Sequence, residues 1–348
     1  MIKTHGYAAQ SATTRLARFD YEHRSPGPKD VQIAIDFCGI CHSDIHQARN
    51  EWGNSIYPMV PGHEIVGRVS AVGTDVKKFK LGDLAGVGVM VQTCMRCEHC
   101  RAGEEPYCIK GMVATYNARD YDGEITFGGY ANNIVANEHY VYSISPKLDL
   151  AAVAPLLCAG ITTYSPLRHW GVDANKKVGV VGLGGLGHMG LKFARSFGAH
   201  VVQFTTSESK IADAKKLGAD EVVISKDIDA MRKHANSFDF ILDCVSANHD
   251  VNTYLDLLRL DGTICLVGLP DEPLSIAPFA VATNRRSFAG SMIGGVNQTQ
   301  EMLEYCAEKN IVADIELTSF DKVNETYERV LKGDVKYRFV LDLKTLNH

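Results

Sequence analysis

Between positions 178 and 197 the sequence runs Val178-Gly179-Val180-Val181, then Gly182-Leu183-Gly184-Gly185-Leu186-Gly187, then a helix-like stretch from 188 to 197. The first four residues form a continuous apolar run, as expected of a strand covered on both faces. A G-x-G-x-x-G run between such a strand and a helix makes a tight turn and lets backbone approach a pyrophosphate at the helix N-terminus, where unpaired N–H groups point outward. The alternation then repeats. Apolar runs at 201–204, 221–224, 238–243 and 263–268 are separated by helical patterns near 208–217 and 250–260, and a last strand is expected at 287–293. Six strands with intervening helices predict a doubly wound parallel sheet of the Rossmann type.

The end of the second strand of this sheet selects the dinucleotide. An acid about 20 residues past the glycines would bond the ribose 2′-hydroxyl of NAD. This chain reads Thr205-Thr206-Ser207-Glu208-Ser209-Lys210. Hydroxyls and an ammonium hold a 2′-phosphate that a carboxylate would repel, so Thr205, Thr206, Ser207 and Lys210 point to NADP(H). Glu208 argues the other way, because one residue of slip would bring an acid to the ribose, and an NAD-preferring protein is the alternative. Taken alone, Lys210 also reads as a solvated helix lysine.

The first half has a different texture. Residues 5–25 read as irregular, followed by a turn at Ser25-Pro26-Gly27-Pro28 and a clean alternation over 31–37. Further short strands with Gly-rich turns suggest a small β-barrel-like module. Ten cysteines are present, four of them between 94 and 108. In a chain without a signal-peptide pattern such usage argues for metal or catalysis before disulfides. Cys94, Cys97, Cys100 and Cys108 are spaced to close a tetrahedral zinc site, with an iron–sulfur cluster as the rival.

A second constellation is Cys41-His42-Ser43-Asp44-Ile45-His46, with Gly62-His63-Glu64 and Cys158 at a distance. One imidazole and two thiolates are the ligands of a zinc ion whose fourth position is open. If a helical turn starts after Cys41, Ser43 and His46 could form a proton wire, and Asp44 is placed to accept from the ring N–H of a ligating histidine. The competing readings are polar surface residues on a helix and, for Cys38-x-x-Cys41, a redox pair. Cys38, Cys244, Cys265 and Cys306 read as core thiols.

Together these motifs resemble the zinc-dependent medium-chain alcohol dehydrogenases, nearest to the cinnamyl-alcohol-dehydrogenase-like branch with its bacterial NADPH-dependent aldehyde reductases. Cys38-Gly39-Ile40-Cys41-His42-Ser43-Asp44, Pro61-Gly62-His63-Glu64, the four-cysteine loop, Leu156-Leu157-Cys158-Ala159-Gly160-Ile161-Thr162 and the glycine run carry the likeness nearly end to end. The resemblance implies an α/β architecture: a GroES-like β-rich catalytic domain (1–157 with 295–348), a Rossmann NADP-binding domain (158–294), and an active site in the cleft between them. It implies catalytic zinc on Cys41, His63 and Cys158 with Glu64 approaching transiently, structural zinc on the four loop cysteines, and a proton relay through Ser43 and His46. Thr162, Val267, Gly268 and Ile293 match positions near the nicotinamide cofactor. The family is usually dimeric through the edge of the Rossmann sheet. Plant monolignol enzymes carry a large aromatic residue shortly after the fourth loop cysteine. This chain has Met112-Val113 there, with Trp52 supplying bulk elsewhere, so a broad aldehyde range is expected.

A net charge of -5 without a basic run argues against nucleic acid or an anionic membrane as partner, and no apolar run reaches membrane-spanning length. The expected location is the cytoplasm, and the expected ligands are zinc, NADP(H) and a small aldehyde or alcohol. A zinc-free reductase of the quinone-oxidoreductase type and a non-catalytic redox or zinc sensor on the same scaffold are the rivals.

Overall fold

The computed structural model describes residues 1–270 and 272–347. In chain order its strands are β1 (Ile2–Ala8), β2 (Ala17–His23), β3 (Asp30–Ile40), β4 (Ile65–Val72), β5 (Leu84–Val87), β6 (Met90–Gln92), β7 (Val113–Ala114), β8 (Asn133–Asn137) and β9 (Val141–Ser143). There follow β10 (Lys177–Val181), β11 (His200–Thr205), β12 (Glu221–Ile224), β13 (Phe238–Asp243), β14 (Leu258–Leu266), β15 (Ser287–Gly290), β16 (Ile315–Thr318) and β17 (Arg338–Asp342). The chain separates into two compact units: one joins Met1–Cys158 to the chain from Gly294 onward, and the other is Ala159–Ile293.

In the first unit, β3 is the spine. Its alternating Val31, Ile33 and Ile35 are buried in a core shared with Ile65, Ile134 and Phe339. One edge of β3 is taken by β4, and the other is divided between β8 along its first half and β17 along its last. Both β4 and β17 are antiparallel to β3, with Ile65 opposite Cys38 and Phe339 opposite Ile40. The end of β3 and the beginnings of β4 and β17 therefore meet at one end of the sheet. The segment Leu150–Leu157, a helical turn followed by a 3₁₀ turn, packs on β3, β4 and β17 and delivers Cys158.

Residues 5–25 are not the irregular stretch the sequence suggests. β1 and β2 pair antiparallel in continuous register from Ile2 opposite His23 to Ala8 opposite Ala17. The inward positions of β1 are Thr4, Gly6 and Ala8, too small or polar to show as hydrophobic alternation. Gly6 lies against the Tyr130 carbonyl, which a Cβ there would approach to 2.7 Å.

The cysteine-rich loop between β6 and β7 is anchored by buried Glu105. Its carboxylate accepts the Val296 N–H at 3.0 Å and meets His139 Nε2 at 3.4 Å. The loop is thus tied to the first turn of the helix Val296–Lys309.

The second unit carries, among the described residues, a six-stranded parallel sheet in the order β12-β11-β10-β13-β14-β15. Chain order reverses between β10 and β13, where open α/β sheets bind their ligands. Val202, Phe204, Ile241, Leu255 and Ile264 fill the core on one side. The helix expected near 250–260 is only Asn252–Leu255, and β14 starts at Leu258. Exposed Arg259, Leu260 and Asp261 hide the strand's first half from a periodicity reading, and a register shift between Phe238 and Phe240 accommodates it. Among the described residues no single helix is long and apolar enough to cross a membrane.

Candidate active site

Cys41 follows β3, His63 and Glu64 precede β4, and Cys158 arrives from the segment on top. Their ligand atoms lie within 4.8 Å of one another, and all four residues are buried. The sulfurs of Cys41 and Cys158 are 3.9 Å apart. Two sulfurs bonded tetrahedrally to one zinc at about 2.3 Å stand about 3.8 Å apart, so the pair fits that ion.

Asp44, wholly buried, organises this set. It accepts the Cys41 N–H at 2.8 Å, the Gly62 N–H at 3.1 Å and the Tyr130 hydroxyl at 3.3 Å. Its Oδ1 is 3.3 Å from His63 Nδ1, so that nitrogen carries the proton and Nε2 is left for a metal. Burial opposes a charge on His63, but Asp44 and Cys41 together outweigh it and hold the imidazole pKa well above its usual value. The Tyr116 ring stacks on His63 at 5.7 Å. The hydrogen bond from Cys158 pulls the Cys41 thiol well below its usual pKa, while Cys158 is pushed up by the same bond.

Glu64 makes a buried ion pair with Arg338 through Oε1, and Oε2 has no hydrogen-bond partner among the described residues. Burial raises the Glu64 carboxyl to about 7 despite the guanidinium. Gly39 makes room for it, since a Cβ there would stand 1.9 Å from Oε2. An orphaned buried oxygen beside two thiols and an imidazole fits a metal-ligand set. Arg338 was invisible as a site residue from sequence. It opens an apolar run at the other end of the chain, and only the pairing of β17 with β3 brings it to Glu64.

The helix His42–Ala48 presents the two relay candidates. Ser43 Oγ is 3.6 Å from Cys41 Sγ. His46 pairs through Nδ1 with Glu51, a partner the sequence did not announce, and its ring stacks between His42 at 5.4 Å and Trp52 at 5.1 Å. No hydrogen bond joins Ser43 to His46 among the described residues, so a proton passing between them needs an intervening hydroxyl or water.

The four loop cysteines form a second group within 4.8 Å. Cys94 and Cys100 sulfurs are 3.9 Å apart, and those of Cys97 and Cys100 are 3.4 Å apart. Backbone N–H groups point at the sulfurs, from Cys97 to Cys94 at 3.3 Å and from Cys94 to Cys108 at 3.4 Å. The N–H groups of Cys100 and Ile109 lower the Cys97 thiol to about 6. The donor set is closed and all-sulfur, one of the sets that hold a structural zinc.

In the second unit the glycine run divides its tasks. Gly182 has φ +85°, and a Cβ on Gly187 would come within 1.9 Å of the Gly182 carbonyl oxygen, so strand and helix touch there. Gly184 is exposed, and beyond its chain neighbours no atom of the described residues lies within 4 Å of where its Cβ would be, which leaves its backbone open to a ligand. The helix Gly187–Ser196 starts immediately beyond Gly185 and Leu186. Lys210 Nζ donates to the Leu183 carbonyl at 2.9 Å, which sets its ammonium on the glycine loop. Thr206 is exposed, and Ser207 Oγ lies 2.7 Å from Ser209 Oγ. Thr205 is turned inward, its hydroxyl accepting the Ser207 N–H at 3.3 Å. Glu208 is exposed. Thr162 is in the first turn of the helix Ala159–His169, Val267 and Gly268 follow β14, and Ile293 takes φ +43° three residues after β15.

Residues 27–146 match the alcohol dehydrogenase GroES-like domain, and residues 185–308 match the zinc-binding dehydrogenase domain. The aldehyde reductase YahK of Escherichia coli (strain K12) is 56% identical over 99% of both chains. A cinnamyl alcohol dehydrogenase from Sorghum bicolor superposes with a TM-score of 0.96 at 43% identity over 98% of both chains. The CAD of Helicobacter pylori, solved with NADP(H), gives 0.93 at 40% identity over 99% of both. With two thiolate-rich metal sets and a nucleotide loop already in place, these likenesses settle the matter: the chain belongs to the zinc-binding medium-chain alcohol dehydrogenases.

Proposed function

We propose that the protein reduces aldehydes to primary alcohols, reversibly, with NADPH as hydride donor and zinc at Cys41, His63 and Cys158. The observation that carries this reading is the buried convergence of those three donors at one end of a sheet, with the free oxygen of Glu64 beside them. A zinc ion held there supplies Lewis acidity toward a carbonyl oxygen, and bound NADPH supplies the hydride.

The chain's own groups do the rest. Asp44 keeps the proton on His63 Nδ1 and so aims Nε2 at the metal position. Ser43, beside Cys41, is placed to give the product oxygen its proton, and the His46–Glu51 pair to exchange that proton with solvent. Arg338 holds one oxygen of Glu64 and leaves the other able to approach the metal. The loop at 182–187 receives the pyrophosphate. Thr206, Ser207 and Lys210 receive the 2′-phosphate, and Thr205 holds Ser207 in place. Thr162, Val267, Gly268 and Ile293 line the nicotinamide half. Cys94, Cys97, Cys100 and Cys108 hold a second, structural zinc. The protein acts in the cytoplasm as a homodimer paired through the outer edge of β15, which ends its sheet.

The test is the initial rate with benzaldehyde or cinnamaldehyde, NADPH against NADH, beside zinc content by elemental analysis. Fast NADPH oxidation at two zinc ions per chain is expected. A preference for NADH would place Glu208 on the ribose, and no turnover at full zinc loading would favour the sensor reading.

A further inference from the structure

Asp243 ends β13, beside the reversal in sheet order, and is fully buried. Its backbone carbonyl accepts the N–H groups of Val267 and Gly268 at 2.9 and 3.0 Å. One carboxylate oxygen accepts the Val245 N–H at 3.1 Å, and the other meets His249 Nε2 at 2.8 Å. His249 Nδ1 faces the Ala247 carbonyl at 2.9 Å. A carbonyl and a carboxylate can only accept, so both ring nitrogens donate and the imidazole is cationic.

The turn from 244 to 249 is therefore closed at both ends on one buried carboxylate, although Ser246, Ala247 and Asn248 between them are exposed. On its inner side Val245 is wedged between two glycines. A Cβ on Gly268 would come within 2.3 Å of the Val245 carbonyl oxygen, and one on Gly182 within 3.0 Å of Val245 Cγ2. Gly182 opens the nucleotide loop, and Gly268 follows β14 on the other side of the sheet reversal. The position of Val245 thus sets the spacing of two backbone segments that face the same ligand.

We infer that Asp243 and His249 are positioning residues for the dinucleotide: their ion pair pins Val245 between Gly182 and Gly268 and holds the binding backbone in the spacing the cofactor needs. This rests on the assignment of the loop at 182–187 and of Val267 and Gly268 to NADPH. Neither residue need touch the cofactor. The cost of ordering the turn is met before binding, and losing the pair returns that cost to the binding step.

The experiment is titration calorimetry of NADPH into the full-length, zinc-loaded protein and its His249→Ala and His249→Gln variants. The glutamine carboxamide can place an N–H where Nε2 stands and donate to Asp243. His249→Ala should raise the Kd for NADPH about tenfold, the order expected for a lost hydrogen bond to a charged group. Its kcat at saturating NADPH should stay within about twofold of wild type. His249→Gln should recover most of the affinity, and zinc content should be unchanged in both. An alanine variant that binds NADPH as tightly as wild type overturns the inference, and so does a glutamine variant that binds no better than alanine. If the wild-type protein itself does not bind NADPH, the assignment of the dinucleotide site fails instead.

Discussion

The carboxylate of Asp44 ties together two stretches of chain, one carrying Cys41 and the other Gly62 and His63. Asp44→Asn turns an acceptor into a partial donor facing N–H groups, and removes the charge that holds the His63 proton. Zinc affinity at the site should fall by about 10–100-fold, read by competition with a chromogenic chelator. Arg338 presents a different kind of dependence. Arg338→Met leaves the Glu64 carboxylate buried without its partner, which should cost about 3–5 kcal/mol in denaturant unfolding. Adding Glu64→Gln should restore part of it, because the uncompensated charge is then gone. His249 gives a pH signature. The Asp243 bond raises its pKa above the 6.5 of a free imidazole, against burial, with the Ala247 carbonyl and Asp250 adding to the rise and the Tyr254 ring packed against it. A raised histidine stabilises the fold fully below the unfolded pKa and loses that contribution as pH climbs through the folded one. The stability gap between wild type and His249→Ala should thus be wider at about pH 6 than at about pH 9.

At the scale of elements, the cysteine loop makes the plainest prediction. Cys97→Ser removes one of four thiolates from a closed site, so zinc content should drop from two ions to one per chain. Because Glu105 links this loop to Val296, amide exchange should quicken in the first turn of the helix Val296–Lys309 as well. The elements themselves differed in how well the sequence announced them. The alternation of Val31, Ile33 and Ile35 and the apolar run at 178–181 were legible because side-chain period and burial coincide in them. β1 was not, since its inward residues are Thr4, Gly6 and Ala8, and neither was the exposed first half of β14. Among the candidate metal ligands, the four loop cysteines were legible from chemical type and local spacing, whereas Cys41, His63 and Cys158 lie far apart in sequence and were joined by the family resemblance. Arg338 and Glu51 were not, because what gives each a role is a partner: Glu64 is 274 residues away from Arg338, and the bond from Glu51 to His46 depends on a turn after a short helix.

For the whole molecule, ligand binding should register as stability. If NADPH binds only the folded chain, a concentration of about 100 times its Kd raises the unfolding free energy by about 2.7 kcal/mol, measurable as a shift in urea midpoint. NADH at the same concentration should give a smaller shift if Thr206, Ser207 and Lys210 hold the 2′-phosphate.

The pairing of β17 with β3 has a consequence for how the protein is made. Residues 159–293 are one uninterrupted stretch, whereas the unit around them needs its last strand before its main sheet is complete. On a ribosome the inserted unit can finish first, while Cys41, His63 and Cys158 have long since emerged and still lack the strand that brings Arg338 to Glu64. Thiolates in that interval are open to oxidation and to the wrong metal. A chain stopped after residue 337 should therefore be released with its nucleotide unit folded and its catalytic metal set unformed, a difference that pulse-labelled nascent chains probed with a thiol reagent would report.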